Sequence, residues 1–466
     1  MGSSEHIHFE VQERKILLRI LDLFFALLGL FALEQYFGND YLVFSNSGLI
    51  TWISLIVYLT IFGTVFEIYD IKKASNIDDT FQNVLLTVAF TSLFYLLTPI
   101  ITPVLPSNRI QIVGFFGSIL IPIFLWRIGY ILLVASPRFH KRVLLIGEYS
   151  NLSNVLNAFK DVDQHYQIVG FVNCEIQAVL NHKSHPQLKI FTIEDVLEVI
   201  KSQKISEVVV TNYNTESISP ELYNNLIKLL ESGFSIREFT QVYEELTHRV
   251  PVQFVGKDFY KYFPFNRSHS NKLYQLLSRL FDIVFSVAIL MVFIVILPLI
   301  LIGNLIGNRG PLFYKQVRVG ENGKLFHIIK LRSMIENAES QGAQWASKDD
   351  HRITAVGRFL RNSRLDEVSQ LVNVIKGEMS VIGPRPERPV FVKELSKQIP
   401  FYETRHILKP GMTGWAQVNE RYGDNVVEDS LTKLQYDLYY IKHRNFFLDV
   451  SIITKTISTV LYYRGQ

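Results

Sequence analysis

The 466-residue sequence contains a single cysteine, Cys174. An intramolecular disulfide framework and a multi-cysteine zinc site are therefore both excluded. Charge is scarce: Asp, Glu, Lys and Arg make up 19% of the chain, against roughly 25% in soluble domains. Neither sign dominates, with 47 basic and 43 acidic residues and a net charge of +4. That balance argues against a nucleic-acid partner recruited by bulk charge. A mean hydropathy of +0.18 argues against a disordered chain.

Apolar residues are abundant and unevenly placed. Residues 16–135 carry 12 charged side chains, and the other 346 residues carry 78. A bilayer core about 30 Å thick needs about 20 mostly apolar helical residues. Four segments meet that need: Ile16–Leu33, Gly48–Phe66, Phe81–Ile101 and Ile112–Val134. Arg14 and Lys15, Lys72 and Lys73, and Arg138, Lys141 and Arg142 flank alternate loops. Basic residues stay on the cytosolic side, so both ends of this four-helix transmembrane bundle are expected there.

Beyond the bundle the pattern turns α/β. Lys141–Gly147, Gln167–Val172 and Glu207–Thr211 read as strands, and Leu152–Lys160, Ile193–Ser202 and Pro220–Ser232 as helices. This alternation predicts a parallel, Rossmann-like middle domain. Its first turn, Gly147-Glu148-Tyr149-Ser150-Asn151, has one glycine and an acid where a pyrophosphate would sit. A dinucleotide fingerprint needs more glycines, so a structural or regulatory domain is the favoured reading. It is also the candidate surface for a homodimer.

Ile283–Ile302 is a further uncharged run, interrupted by Pro298. Lys272 and Arg279 precede it, and Arg309, Lys315 and Arg318 follow it. Both flanks read as cytosolic, so a re-entrant helix that breaks near Pro298 and returns is expected. The predicted organisation is a multi-domain α/β membrane protein. Residues 1–136 form the bundle, 137–250 the Rossmann-like domain and 251–271 a linker. Residues 272–466 form a catalytic domain with its re-entrant helix at about 275–306.

The C-terminal third is dense in cations and short motifs. In RNSRLDEVSQLVNVIKGEM, Arg361–Met379, apolar residues recur at helical spacing. Ser363 and Asp366 fit an N-terminal capping box, which puts Asp366 and Glu367 in the first turn. First-turn acids are common helix-dipole partners. The same position also keeps a carboxylate ionised, as a nucleophile requires. Gly383-Pro384-Arg385-Pro386-Glu387 holds one arginine between two prolines. A guanidinium on so rigid a chain suits phosphate. Read alone, it is also an ordinary surface turn.

The motif order resembles one family. RVGENGKLFHIIKLRSM (Arg318–Met334), ITAVGRFLRNSRLDE (Ile353–Glu367), QLVNVIKGEMSVIGPRPE (Gln370–Glu387) and KPGMTGWAQVNER (Lys409–Arg421) follow an apolar helix with a mid-run proline. Together they resemble the bacterial sugar transferases, the monotopic phosphoglycosyl transferases, over about Lys272 to Gln466. The resemblance implies transfer of a hexose-1-phosphate from a UDP-sugar, glucose or galactose, to undecaprenyl phosphate, with release of UMP. It implies Mg2+ as cofactor, Asp366 as nucleophile and Glu367 as metal ligand. Arg385 is then a phosphate ligand, Lys330, Arg332 and Arg361 are basic active-site positions, and Arg421 belongs to the nucleotide. The implied setting is the bacterial inner membrane, with the site facing the cytoplasm and membrane lipids around the re-entrant helix. Leu297, His351 and Glu420 depart from the family's usual serine, proline and glycine. Two other classes compete: an inactive regulatory scaffold, and a nucleotide-sugar oxidoreductase using the middle domain. The intact Asp366–Glu367 pair disfavours the first, and the poor glycine turn disfavours the second.

Overall fold

The computed structural model describes residues 11–37, 49–99, 108–133, 141–159, 166–174, 188–211, 219–254, 272–336, 338, 350–419 and 426–461. The chain divides into two units, Met1–Thr247 and His248–Gln466.

The first unit opens with the apolar helices Val11–Phe37, Leu49–Val65, Ile77–Leu97 and Arg109–Leu133. Three of them are long and apolar enough to cross a membrane, and Leu49–Val65 is a shorter apolar helix of 17 residues. Two of the scarce charges in this region neutralise each other. Arg127 donates from Nε to Asp22 Oδ1 at 2.9 Å and from Nη1 to the Ile68 carbonyl at 2.8 Å. Both side chains are wholly buried, the usual condition for charges at membrane depth. Gly29 lets the first and last of these helices touch, since a Cβ there would lie 1.8 Å from the Ser118 carbonyl oxygen.

The same unit contains a five-stranded parallel sheet. Its strands are β1 (Lys141–Gly147), β2 (Tyr166–Asn173), β3 (Lys189–Phe191), β4 (Glu207–Val210) and β5 (Ser235–Glu238), in the order β3-β2-β1-β4-β5. Three of these strands match the sequence expectation, and the short β3 and β5 were not anticipated. Gly147, which ends β1, has a packing role. A Cβ there would lie 1.9 Å from Thr211 Oγ1, and its carbonyl accepts from the Cys174 amide.

The second unit begins earlier than the sequence suggested. Val250 and Val252 are buried in its core, and the Val250 amide donates to the Gln435 carbonyl at 3.1 Å. Residues 248–254 therefore pack with the C-terminal unit, although they were expected to close the middle domain and open the linker. Residues 255–271 lie outside the described residues.

Lys272–Gly307 is one helix of 36 residues. Its buried members are Asp282, Ser286, Phe293, Ile300 and Asn304. At about 100° per residue these positions fall within an arc of roughly 40°, so a single narrow stripe meets the protein. Leu276, Leu280, Val284, Val295, Leu299 and Ile306 are among the exposed apolar side chains elsewhere on it. Pro298, where a kink or break was expected, lies inside this helix. The chain stays helical through the proline, and the buried stripe keeps its phase across it.

Candidate active site

The hairpin of β6 (Phe313–Val319) and β7 (Leu325–Leu331) supports the site. The edge of β7 is bonded by side chains rather than by another strand. Ser369 Oγ donates to the Ile329 carbonyl at 2.9 Å and Asn373 Nδ2 to the His327 carbonyl at 2.8 Å. The Ile329 amide donates to Asn373 Oδ1 at 3.1 Å. These bonds fix the 3-10 turn Leu365–Gln370, which carries Asp366 and Glu367, against the strand that carries Lys330.

The capping expectation is corrected. Thr354 caps the preceding helix, Ala355–Asn362, by accepting from the Gly357 amide at 2.9 Å, and Ser363 closes that helix at its C-terminus. Arg364 then adopts a left-handed conformation with φ 58°, which reverses the chain into the 3-10 turn. Such a conformation is uncommon for a non-glycine residue, and such residues collect at functional sites.

Glu367 is the electrostatic hub. Its Oε1 accepts from Lys330 Nζ at 3.1 Å and from Arg385 Nη2 at 2.6 Å. Burial opposes its ionisation, but Arg385 and Lys330 outweigh burial and hold the carboxyl well below its ordinary range. Burial pushes Asp366 the other way, up to about 6, reinforced by the adjacent Glu367 charge. Lys330 is pushed down by burial, with Glu367 opposing. Asp366 is 8% exposed, and its Oδ1 is buried with no hydrogen-bond partner. The two neighbouring acids thus differ sharply: one is neutralised by cations, and the other keeps an uncommitted oxygen.

Arg361 donates from Nε to Ser333 Oγ at 2.9 Å, and its charge favours ionised Asp366. Arg332, expected at the phosphate, commits part of its guanidinium to main-chain carbonyls. It donates from Nε to the Pro311 carbonyl at 2.8 Å and from Nη2 to the Arg309 carbonyl at 2.7 Å, and it also bonds the Asn308 carbonyl. It secures the exit of the long helix, where Gly310, at φ 122°, leaves room for the guanidinium. Arg421 and its neighbour Glu420 lie outside the described residues. Pro298 lies within the long helix. Ser369 and Asn373 were missed in the sequence because they act by bonding a distant strand, which no local pattern encodes.

A small surface cleft lies beside Arg385, lined also by Pro384, Pro386, Arg405, His406 and Leu408. Burial pushes His406 down to about 4, helped by Arg405, so it is neutral at pH 7.

Among the described residues no group of three or more His, Cys, Asp or Glu could hold a metal. A two-carboxylate donor set still fits Mg2+, which is commonly held by one or two carboxylates plus substrate phosphates and water. The orphaned Asp366 oxygen beside Glu367 is consistent with such a site.

The unit thus joins a buried acid pair among cations to a helix long and apolar enough to cross a membrane. Residues 273–463 match the family model described as bacterial sugar transferase. An uncharacterised sugar transferase of Bacillus subtilis, EpsL, is 36% identical over 194 residues, 41% of this chain and 90% of that protein. The chain belongs to the bacterial sugar transferase family. The UDP-N-acetylgalactosamine-undecaprenyl-phosphate N-acetylgalactosaminephosphotransferase of Aeromonas hydrophila is 35% identical over 255 residues, 55% of this chain and 59% of that protein. The UDP-glucose:undecaprenyl-phosphate glucose-1-phosphate transferase of Escherichia coli is 35% identical over 184 residues, 39% of this chain and 40% of that protein. The chain therefore matches less than two thirds of the length of these last two relatives.

Proposed function

We propose that this protein transfers a hexose-1-phosphate from a UDP-sugar to undecaprenyl phosphate through a covalent intermediate on Asp366. The observation that carries this reading is the uncommitted, buried Asp366 Oδ1 beside the neutralised Glu367. An Asp366 oxygen attacks the sugar-bearing phosphorus of the donor. The bond from that phosphorus to the bridging oxygen breaks, and UMP leaves with the electron pair. An oxygen of undecaprenyl phosphate then attacks the same phosphorus. The aspartyl ester breaks, the lipid diphosphosugar forms, and the Asp366 carboxylate is regenerated. Splitting the transfer in this way lets a soluble donor and a lipid acceptor use one site in turn.

Lys330, Arg361 and Arg385 supply the cationic surroundings that phosphoryl transfer requires, since its catalysis is mostly positioning and charge stabilisation. Glu367 fixes Lys330 and Arg385 and is the candidate ligand for Mg2+. That ion, when bound, adds positive charge opposite the reacting phosphates.

The helix Lys272–Gly307 is proposed to enter the membrane from the cytoplasmic face, bend at Pro298 and return, so that both ends stay there. Both ends are hydrogen-bonded to the same catalytic unit, which supports this placement. Arg279 donates to the Val374 and Ile375 carbonyls, and Asp282 accepts from the Val381 amide at 2.9 Å. Asn304 donates to the Gly310 carbonyl at 3.0 Å and Asn308 to the Arg332 carbonyl at 2.6 Å.

The test is UMP release by the full chain in nanodiscs with Mg2+ and undecaprenyl phosphate. UDP-glucose, UDP-galactose and their N-acetyl analogues are offered in turn, because the relatives' names divide between plain and N-acetylated sugars. One donor should release UMP, and Asp366→Asn should abolish it. Turnover by Asp366→Asn at the wild-type rate refutes the covalent mechanism.

A further inference from the structure

The Pro384–Glu387 main chain is held at four successive carbonyls. Pro384 O accepts from the Gly411 amide at 2.9 Å, and Glu387 O from the Val319 amide at 3.0 Å. Pro386 O accepts from Arg318 Nη1 at 3.1 Å, and Arg385 O from Arg405 Nη2 at 3.1 Å. The two prolines have no N–H to donate, so carbonyl bonds are the main handles left for fixing this turn.

Arg405 is the buried member of this set, at 3% exposure. It sits on the 3-10 turn Tyr402–Ile407, entered through Phe401 in a left-handed conformation at φ 62°. Its Nη1 donates to Tyr402 Oη at 2.7 Å, and its Nη2 lies 2.7 Å from Asp437 Oδ2. Asp437 is itself buried, on the helix Val426–His443. Pairing with Asp437 would satisfy the requirement that a buried cation have a partner. The guanidinium does more than that. It also holds the carbonyl of Arg385, the one residue of the turn whose side chain reaches Glu367.

We propose that Arg405 is a positioning residue for the transfer: it anchors the Arg385 main chain to the Val426–His443 helix and thereby sets where the Arg385 guanidinium meets the dyad and the phosphate. This rests on the transfer reaction proposed above. Arg405 touches no reacting atom and acts through Arg385 alone. Removing it frees the turn at one of four anchors, so a displacement of about 1 Å is the relevant perturbation, and such misplacements lower rates by as much as roughly 100-fold.

Two variants test this. R405K keeps a charge beside Asp437 but has no fork to reach the carbonyl as well. R405M/D437L removes both buried charges together, so neither is left unpaired. Hydrogen exchange on the full chain should rise in peptides covering residues 383–391. In R405M/D437L, exchange in residues 426–443 should stay as in wild type. In UMP release, both variants should lose about 10- to 100-fold in kcat, with the KM for UDP-sugar within about threefold of wild type. Placed in an R385A background, the same changes should cost less than about threefold further, because residues acting as a unit are non-additive. Unchanged exchange in residues 383–391 overturns the proposal, as does an equal loss with and without Arg385. If wild type releases no UMP from any UDP-sugar, the transfer reading fails, and the exchange measurement still decides whether Arg405 holds the turn.

Discussion

Replacing Arg385 by alanine removes one cation from the dyad while leaving the main chain that carries it in place. The guanidinium meets Glu367 at 2.6 Å and is 32% exposed. A unit charge about 4 Å from a phosphate charge is worth about 4 kcal/mol at an effective dielectric of 20. With a third of the group in solvent, a discounted contribution of about 2–3 kcal/mol is reasonable, which corresponds to roughly 30- to 150-fold in rate. The assay is single-turnover UMP release at saturating UDP-sugar, with the melting temperature measured in parallel. R385A should fall in that range, and the melting temperature separates this loss of rate from any destabilisation caused by removing the bond to Glu367. R385K should recover part of the loss, because it restores a point charge without the fork. An R385A rate within threefold of wild type refutes the assignment of Arg385 to the phosphate.

Because burial raises Asp366 to about 6 and attack needs the carboxylate, UMP release should rise as pH climbs through about 6. A rate flat from pH 5 to 7.5 contradicts this. Gly147→Ala should lower the melting temperature of the chain by overpacking Thr211, at a cost of about 1–3 kcal/mol, and G147A/T211A should recover most of it. R332A should destabilise the protein by removing bonds to three carbonyls, while leaving the KM for UDP-sugar of the folded fraction unchanged. Chelation with EDTA should stop UMP release, and added Mg2+ should restore it.

The residues proposed for the chemistry were easier to find in the sequence, through its motifs, than the residues that hold them. Lys330, Asp366, Glu367 and Arg385 were picked out by the motif resemblance rather than by local pattern, and the structure gathers all four. The capping box at Ser363 misled because a hydroxyl three residues before an acid also fits the end of one helix followed by a turn. The deciding interactions are the bonds of Ser369 and Asn373 to β7, some 40 residues away in sequence. Arg332 and Lys330 lie two residues apart, and sequence gives no means of telling which would serve the site and which would fasten the long helix. Short strands such as β3 and β5 exist by pairing with neighbours rather than by their own pattern.

The narrow buried stripe of Lys272–Gly307 bears on how such a helix can diverge. Five of its 36 positions are buried in the protein, and they set rotation and depth for the whole segment. Tyr274, Ser278 and Arg279 near the helix start add side-chain bonds of their own, whereas the exposed apolar positions are constrained by little beyond their apolar character. Sequence drift there is close to free, so two relatives can share a site and a docking register while having little recognisable identity along this helix. A chimera that keeps Tyr274, Ser278, Arg279, Asp282, Ser286, Phe293, Ile300 and Asn304 and borrows its exposed positions from an unrelated apolar helix should still pack against the C-terminal unit.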